Sequence, residues 1–435
     1  MATLDTALDP RAPSFLDNRS TAQAALRALD HAHGQARDGG GEKEVTRHHA
    51  RGKLLPRERI ELLVDTDTAL LELAATAGRE TGEPAGAGLV TALGVVDGIE
   101  CMLIANDPTV RVGGPSTAGR RKFARAVELA ARHLLPLVLL LESTADDERG
   151  TGAPDPSFAR LSRMAAPVLC AVFGPLDAWL APLPDLADHA LTVRGRGDAT
   201  RVDVVAEDER DALRLLRQTV RQLVTFRHGP RPAESPPAGA ARPDAPPRFE
   251  AEELLAVASA DPRGVTEPRE VLARVLDGSD LDEFRPQRGP AVLAGFGAVH
   301  GHRVAVLAAT GLAVDAESAD KGVELARLAA NAGVPVLVLA NPVVETAPDA
   351  SAPLLRALSQ ADRMTLVLGV DPGAWTLAGP GFRFAWPVGD LTNEPYDGVI
   401  DPRDTRTVLG ICLSVSASAA RRGVPGHVAE REVAS

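Results

Sequence analysis

Apolar and polar positions recur in the same order twice along this chain. Leu89-Val90-Thr91-Ala92-Leu93-Gly94-Val95-Val96 runs into Asp97-Gly98, and Val292-Leu293-Ala294-Gly295-Phe296-Gly297-Ala298-Val299 runs into His300-Gly301. Each block predicts a strand, a tight turn and a second apolar strand, the latter at residues 101–105 and 304–309. A polar loop, a helix with a basic start and a proline-led apolar strand follow in both copies, the strands being Pro136-Leu137-Val138-Leu139-Leu140-Leu141 and Pro335-Val336-Leu337-Val338-Leu339. Further on, Val172-Phe173-Gly174 with Trp179 answers Val367-Leu368-Gly369 with Trp375, and Val204-Val205 answers Val399-Ile400. Gly94 and Gly297 are 203 residues apart, Pro136 and Pro335 are 199 apart, and Gly174 and Gly369 are 195 apart. A repeat of that length predicts two homologous α/β domains, since solenoid repeats are far shorter.

The boundaries follow from what lies between the copies. Residues 1–85 read as a polar, alanine-rich N-terminal extension with one helix near residues 22–36, ending before Gly39-Gly40-Gly41, and a short amphipathic helix over residues 57–63 started by Pro56. Strands and helices alternate over 86–226, the first domain. Residues 227–248 carry seven prolines among Ala, Gly and Arg and read as a linker that cannot offset its ordering entropy by burial. The second domain spans 249–415, and 416–435 form a polar tail.

The chain has 435 residues and a net charge of −12, which argues against nucleic acid as the main partner. Residues 134–141 are the longest nearly unbroken apolar run, too short for a bilayer, and no signal peptide is visible in the first ten residues, so a cytoplasmic protein without membrane contact is expected. Cys101, Cys170 and Cys412 are isolated and read as buried, inert thiols. Gly114-Pro115-Ser116-Thr117-Ala118-Gly119-Arg120-Arg121 has phosphate-loop spacing but lacks the lysine and the following hydroxyl. No metal site is expected: His48-His49 has no ligand partner at useful spacing and reads as solvated surface. Asp146-Asp147-Glu148 reads as a solvated loop, and Ser143 as a cap on the next turn.

Longer stretches resemble a known family. Arg51-Gly52-Lys53-Leu54-Leu55-Pro56-Arg57-Glu58-Arg59-Ile60 with Leu62-Leu63-Val64-Asp65 is similar to the entry segment of the carboxyltransferase (beta) subunits of biotin-dependent acyl-CoA carboxylases. Ala105-Asn106-Asp107-Pro108-Thr109-Val110-Arg111-Val112-Gly113-Gly114, Glu317-Ser318-Ala319-Asp320-Lys321-Gly322 and Asp397-Gly398-Val399-Ile400-Asp401-Pro402-Arg403-Asp404-Thr405-Arg406 resemble the methylcrotonoyl-CoA branch. The resemblance implies two tandem crotonase-like domains, each a ββα superhelix. It also implies carboxyl transfer from carboxybiotin to an acyl-CoA or related thioester, in a homo-oligomer partnered by a biotin carboxylase and carrier. No covalently bound cofactor is expected: a biotin acceptor lysine lies beside methionine, and Met102, Met164 and Met364 have no lysine neighbour.

Family chemistry needs backbone N–H groups in glycine-rich loops to meet enolate and biotin oxygens. This chain departs from that pattern. Ser143-Thr144-Ala145-Asp146 stands where the family has Ser-Gly-Gly-Ala, and Gly174-Pro175-Leu176-Asp177-Ala178 stands for Ala-Gly-Gly, with no N–H on Pro175. In the second domain Pro342-Val343-Val344-Glu345 replaces Thr-Gly-Phe, while Gly373-Ala374-Trp375 keeps part of a Gly-Ala-Gly turn. The resemblance therefore points to Gly373, Ala374, Thr144 and Ala145 as backbone oxyanion donors and to weakened catalysis. Two alternatives stay open: a non-catalytic partner paralogue and a biotin-independent thioester decarboxylase. Arg111, Arg120, Arg121 and Lys122 are candidates for CoA phosphates, or solvated charges at a helix start.

Overall fold

The computed structural model describes residues 2–110, 115–143, 155–196, 202–228, 245–342, 348–370, 381–388 and 396–421. Its strands are β1 (Ala2–Thr3), β2 (Leu71–Leu73), β3 (Leu89–Val96), β4 (Ile99–Asn106), β5 (Leu137–Leu141), β6 (Val168–Val172), β7 (His189–Val193), β8 (Val204–Ala206), β9 (Asp280–Glu283), β10 (Val292–Val299), β11 (His302–Ala309), β12 (Val336–Ala340), β13 (Arg363–Val367), β14 (Phe382–Ala385) and β15 (Gly398–Val399). The helices are α1 (Pro13–Arg37), α2 (Glu42–Ala50), α3 (Pro56–Leu63), α4 (Thr117–Arg132), α5 (Pro156–Leu161), α6 (Leu183–Leu186), α7 (Glu209–His228), α8 (Leu254–Val257), α9 (Pro268–Val275), α10 (Ala316–Asn331), α11 (Pro348–Gln360) and α12 (Thr405–Arg421).

Contacts divide the chain into two compact units, one holding His31–Ala233, the other Met1–Asp30 with Glu234–Leu391 and Pro395–Ser435. The first holds a seven-stranded sheet in the order β2-β3-β4-β5-β6-β7-β8. The second repeats that order as β9-β10-β11-β12-β13-β14-β15 and adds β1 at its edge. In the shared seven-strand order the first two steps are antiparallel and the remaining ones parallel, and β1 adds a further antiparallel step at the edge of the second sheet. This is the duplicated α/β architecture that the apolar pattern predicts.

The two hairpins make the duplication visible residue by residue. β3 pairs with β4 from Leu89↔Asn106 to Val96↔Ile99, and β10 with β11 from Val292↔Ala309 to Val299↔His302. Both turns have two residues with positive φ: Asp97 (54°) with Gly98 (73°), and His300 (48°) with Gly301 (78°). Two left-handed residues in a row match the twist of the flanking strands, which is why glycine occupies the second position in each.

Strands β4, β5 and β6 are apolar on both faces because helices cover them, and Leu103, Val138, Leu140, Leu169 and Ala171 join Ile60 and Leu63 of α3 and Leu213 and Leu216 of α7 in one core. In the second unit Leu307 and Val338 pack with Leu325 of α10 and Leu354 and Leu358 of α11. The N-terminal segment adds to this unit: Ala2 and Thr3 pair with Leu281 and Asp280, and Ala22, Leu26 and Leu29 of α1 pack with Leu255 and Val399. The proline-rich stretch follows α7, and its residues 229–244 lie outside the described residues. Among the described residues no helix is long and apolar enough to cross a membrane.

Candidate functional site

In parallel sheets covered by helices, chemistry collects beyond the carboxyl ends of the strands. In the first unit that rim holds a buried ionic cluster. Glu142 directly follows β5 and is 2% exposed. Its carboxylate is bonded by the Lys53 ammonium and by the Arg59 guanidinium. Arg59 is fully buried and also reaches Glu209 at the start of α7, with Nε 2.9 Å from Oε2 and Nη2 3.2 Å from Oε1. Its guanidinium lies 4.2 Å from the centre of the Phe173 ring. Arg196 donates to Glu209 from the other side at 2.9 Å. Such charges are tolerable without water only because each carboxylate has two cationic partners.

The entry segment supplies Lys53 and Arg59 to this cluster, and further polar groups of the segment fix its path. Gly52 takes φ 68° and its carbonyl accepts from Arg196 at 3.3 Å. The Leu54 N–H donates to Glu209 at 3.2 Å, and the Glu58 carboxylate accepts the Leu55 N–H at 2.6 Å, capping α3, whose first residue is Pro56. Arg57 forks onto Glu72 and bonds the Ala36 carbonyl at 2.8 Å.

His48 is a correction to the reading of a solvated pair. It is buried, its Nε2 lying 3.1 Å from the Leu54 carbonyl oxygen and 3.7 Å from Glu142. Burial holds its pKa below the ordinary value and outweighs the pull of the Glu142 charge, so the ring is neutral at pH 7. His49 is exposed and pairs with Glu58 at 3.1 Å. Among the described residues no group of three or more His, Cys, Asp or Glu is placed to hold a metal.

Two loops leave this rim. The one after β5 starts at Ser143, whose N–H donates to the Pro175 carbonyl at 2.8 Å. Its hydroxyl is buried without a partner, so Ser143 does not form the expected cap. The loop after β6 starts at Gly174, where a Cβ would meet Lys53 Nζ at 3.0 Å and Glu142 Cγ at 3.1 Å. It continues to Asp177, which accepts from the N–H groups of Trp179 (2.8 Å) and Leu180 (3.2 Å). Trp179 packs edge-on against Phe123 of α4 at 5.1 Å and tilted against Phe158 of α5 at 5.0 Å.

Of the sequence-derived candidates, Thr144, Ala145, Gly373, Ala374 and Arg111 lie outside the described residues, as do Asp146, Asp147, Glu148 and Trp375. Arg120 and Arg121 are exposed at the start of α4, with the Arg120 guanidinium 5.7 Å from the Trp179 ring centre. Lys122 is neither solvated nor at the surface. It is buried, its ammonium donates to the Leu89 carbonyl at 2.7 Å, and burial lowers its pKa to about 8. The three cysteines are buried and free, and burial raises the pKa of Cys170 and Cys412. In the second unit a pocket of about 60 Å³ opens beside Trp386 and Ser259, large enough only for a small group.

His48, Asn106, Arg196 and Glu209 carried no assigned role from the sequence. The available signal was a charge inside an apolar frame: Arg59 beside Ile60 and Leu63, and Glu142 directly after five buried residues.

The carboxyl transferase domain family matches residues 47–200 and 201–343. The probable biotin-dependent acyl-coenzyme A carboxylase beta2 subunit of Mycobacterium tuberculosis is 31% identical, over 97% of this chain and 98% of its own length. That alignment runs over 528 positions against 435 residues here, so the relative carries segments this chain lacks. The mitochondrial methylcrotonoyl-CoA carboxylase beta chain of Arabidopsis thaliana is 28% identical over 95% of this chain and 89% of its own. Among solved structures, the beta subunit of P. aeruginosa geranyl-CoA carboxylase shares the fold with a TM-score of 0.82 at 23% identity, covering 98% of this chain and 99% of that one.

Proposed function

Because this chain belongs to the carboxyl transferase family, we propose that it is the carboxyltransferase subunit of a biotin-dependent acyl-CoA carboxylase, with transfer slowed by its altered loops. The reaction removes a proton from the carbon beside the thioester and forms a C–C bond there, while the N–C bond of carboxybiotin breaks and the freed biotin nitrogen takes up the proton. Carboxybiotin is a substrate here, presented by a separate carrier subunit, and it supplies an activated carboxylate. This chain's own task is to hold the thioester and stabilise the enolate oxygen with fixed N–H donors. Thr144 and Ala145 are the proposed donors toward the thioester, and Gly373 and Ala374 those toward the ureido carbonyl. The exposed Arg120 and Arg121, with Arg111, are proposed to meet CoA phosphates. Lys122 is committed to the Leu89 carbonyl and is left out of that set.

The observation that supports slowed transfer is the state of the loop after β6. Pro175 has no N–H to donate, and its carbonyl takes up the Ser143 N–H from the neighbouring loop. Two backbone donors at the start of the first-domain loops are therefore unavailable to an oxyanion. The test incubates the purified chain with a carboxybiotin donor and short acyl-CoAs and follows carboxylated thioester by mass. Product is expected, and Gly373→Pro is expected to abolish it by deleting a donor. Product formation unaffected by Gly373→Pro would remove that turn from the site, and no product with any acyl-CoA would remove the assignment as an enzyme.

A further inference from the structure

We infer that Lys53, acting through Glu142, is a positioning residue for carboxyl transfer: the ion pair fixes where both first-domain loops begin. The inference rests on the carboxyltransferase reading above. Glu142 is gripped at three points. Its side chain is held by Lys53 and Arg59, its N–H donates to Asn106 Oδ1 at 2.8 Å, and its carbonyl accepts from the Asn106 amide at the end of β4. The next residue, Ser143, is tied to Pro175. Lys53 also reaches the Phe173 carbonyl at 3.4 Å, one residue before Gly174. One ammonium thus links Glu142, just before the β5 loop, to Phe173, just before Gly174 of the β6 loop. The lack of a side chain at Gly174 lets it approach, since a Cβ there would lie 3.0 Å from Nζ.

The internal repeat argues that the fold itself does not require this charge. The residue at the same place after β12 is Asn341, 199 residues on, matching Pro136 and Pro335. Asn341 is fully buried and satisfied by backbone alone: its amide donates to the carbonyls of Ala309 and Thr266 at 2.8 Å and accepts the Thr266 N–H at 3.0 Å. A neutral amide therefore suffices to end this strand, yet the first copy buries a carboxylate and brings two cations to it. With its side chain 15% exposed against 2% for Glu142, Lys53 is the member of the pair nearer to water. A displacement of loop donors by about 1 Å costs on the order of 10²-fold in rate.

The experiment compares full-length wild type with Lys53→Met, Lys53→Arg and Glu142→Gln, reading kcat, the KM for acyl-CoA, thermal midpoint and amide hydrogen exchange. Lys53→Met is expected to lower kcat by about 10²-fold with KM unchanged. It is also expected to speed exchange at residues 173–180 while the Asp97–Gly98 turn of the same unit keeps its protection. Lys53→Arg, which restores a cation, is expected to recover part of kcat. Wild-type kcat and exchange in Lys53→Met would overturn the inference, and so would a loss of protection spread evenly through the unit, the mark of a merely structural residue. If the wild type carboxylates no acyl-CoA, the carboxyltransferase reading falls, and the exchange comparison alone then decides whether Lys53 holds the two loops.

Discussion

Lys122 and Lys321 sit 199 residues apart in the two repeats, and each spends its ammonium on a backbone carbonyl, that of Leu89 at 2.7 Å and of Arg288 at 3.0 Å. Burial lowers both pKa values, that of Lys122 to about 8 from the ordinary 10.5. Between those two values the unfolded chain holds a proton that the folded chain has released, so stability rises with pH across that window. Urea unfolding of wild type and Lys122→Met from pH 8 to 10.5 is expected to favour the wild type increasingly, by roughly 3 kcal/mol over the window. Curves that stay parallel would show that the lysine keeps its charge. Residues of this kind were hard to read from sequence. A lysine at a helix start looks solvated, and His48 looks like its exposed neighbour His49, because the carbonyls that receive them come from residues distant in the chain or from turns whose shape only the fold sets.

At the scale of elements, each hairpin turn is held by the same device. Asp65 accepts the N–H groups of Asp97 (2.8 Å) and Gly98 (2.7 Å), and Arg217 of α7 meets its carboxylate at 2.6 Å. Asp277 accepts those of His300 (2.9 Å) and Gly301 (2.7 Å), with Arg406 of α12 at 2.7 Å. Both aspartates lie nine residues after the proline that opens α3 or α9, Pro56 or Pro268. Burial pushes the Asp65 carboxyl up, but the two N–H groups and Arg217 outweigh it and hold the pKa below the usual range. Its contribution is therefore present near neutrality and lost as pH falls through the carboxylate range. Asp65→Ala and Asp277→Ala are each expected to destabilise by about 1–3 kcal/mol. The second should cost more, because Asp277 is buried and its orphaned N–H groups have less water to turn to; equal melting shifts would count against that. The hairpins, the apolar strands and their repetition were legible because apolar runs and turn glycines are local signals. The pairing of β1 with β9, the extra helix α2 and the clamps were not, since each depends on partners far away in sequence.

For the whole molecule, the duplication and the family match along most of the chain place two crotonase-like carboxyltransferase domains in one polypeptide. The family was legible in the sequence, whereas the ion cluster around Glu142 was not, because a buried Glu142 and a surface glutamate are the same letter. Light scattering of the purified chain at micromolar concentration is expected to give a homo-oligomer, and a monomer would contradict that proposal. The central claim is a carboxyltransferase frame carrying impaired first-domain loops, and the rate of carboxyl transfer beside an intact beta subunit tests it most directly. On the proposal that the altered loops lack oxyanion donors, the predicted rate is about 10²-fold or more below the control. A rate within about tenfold of the control, a barrier difference of about 1.4 kcal/mol, would contradict the account.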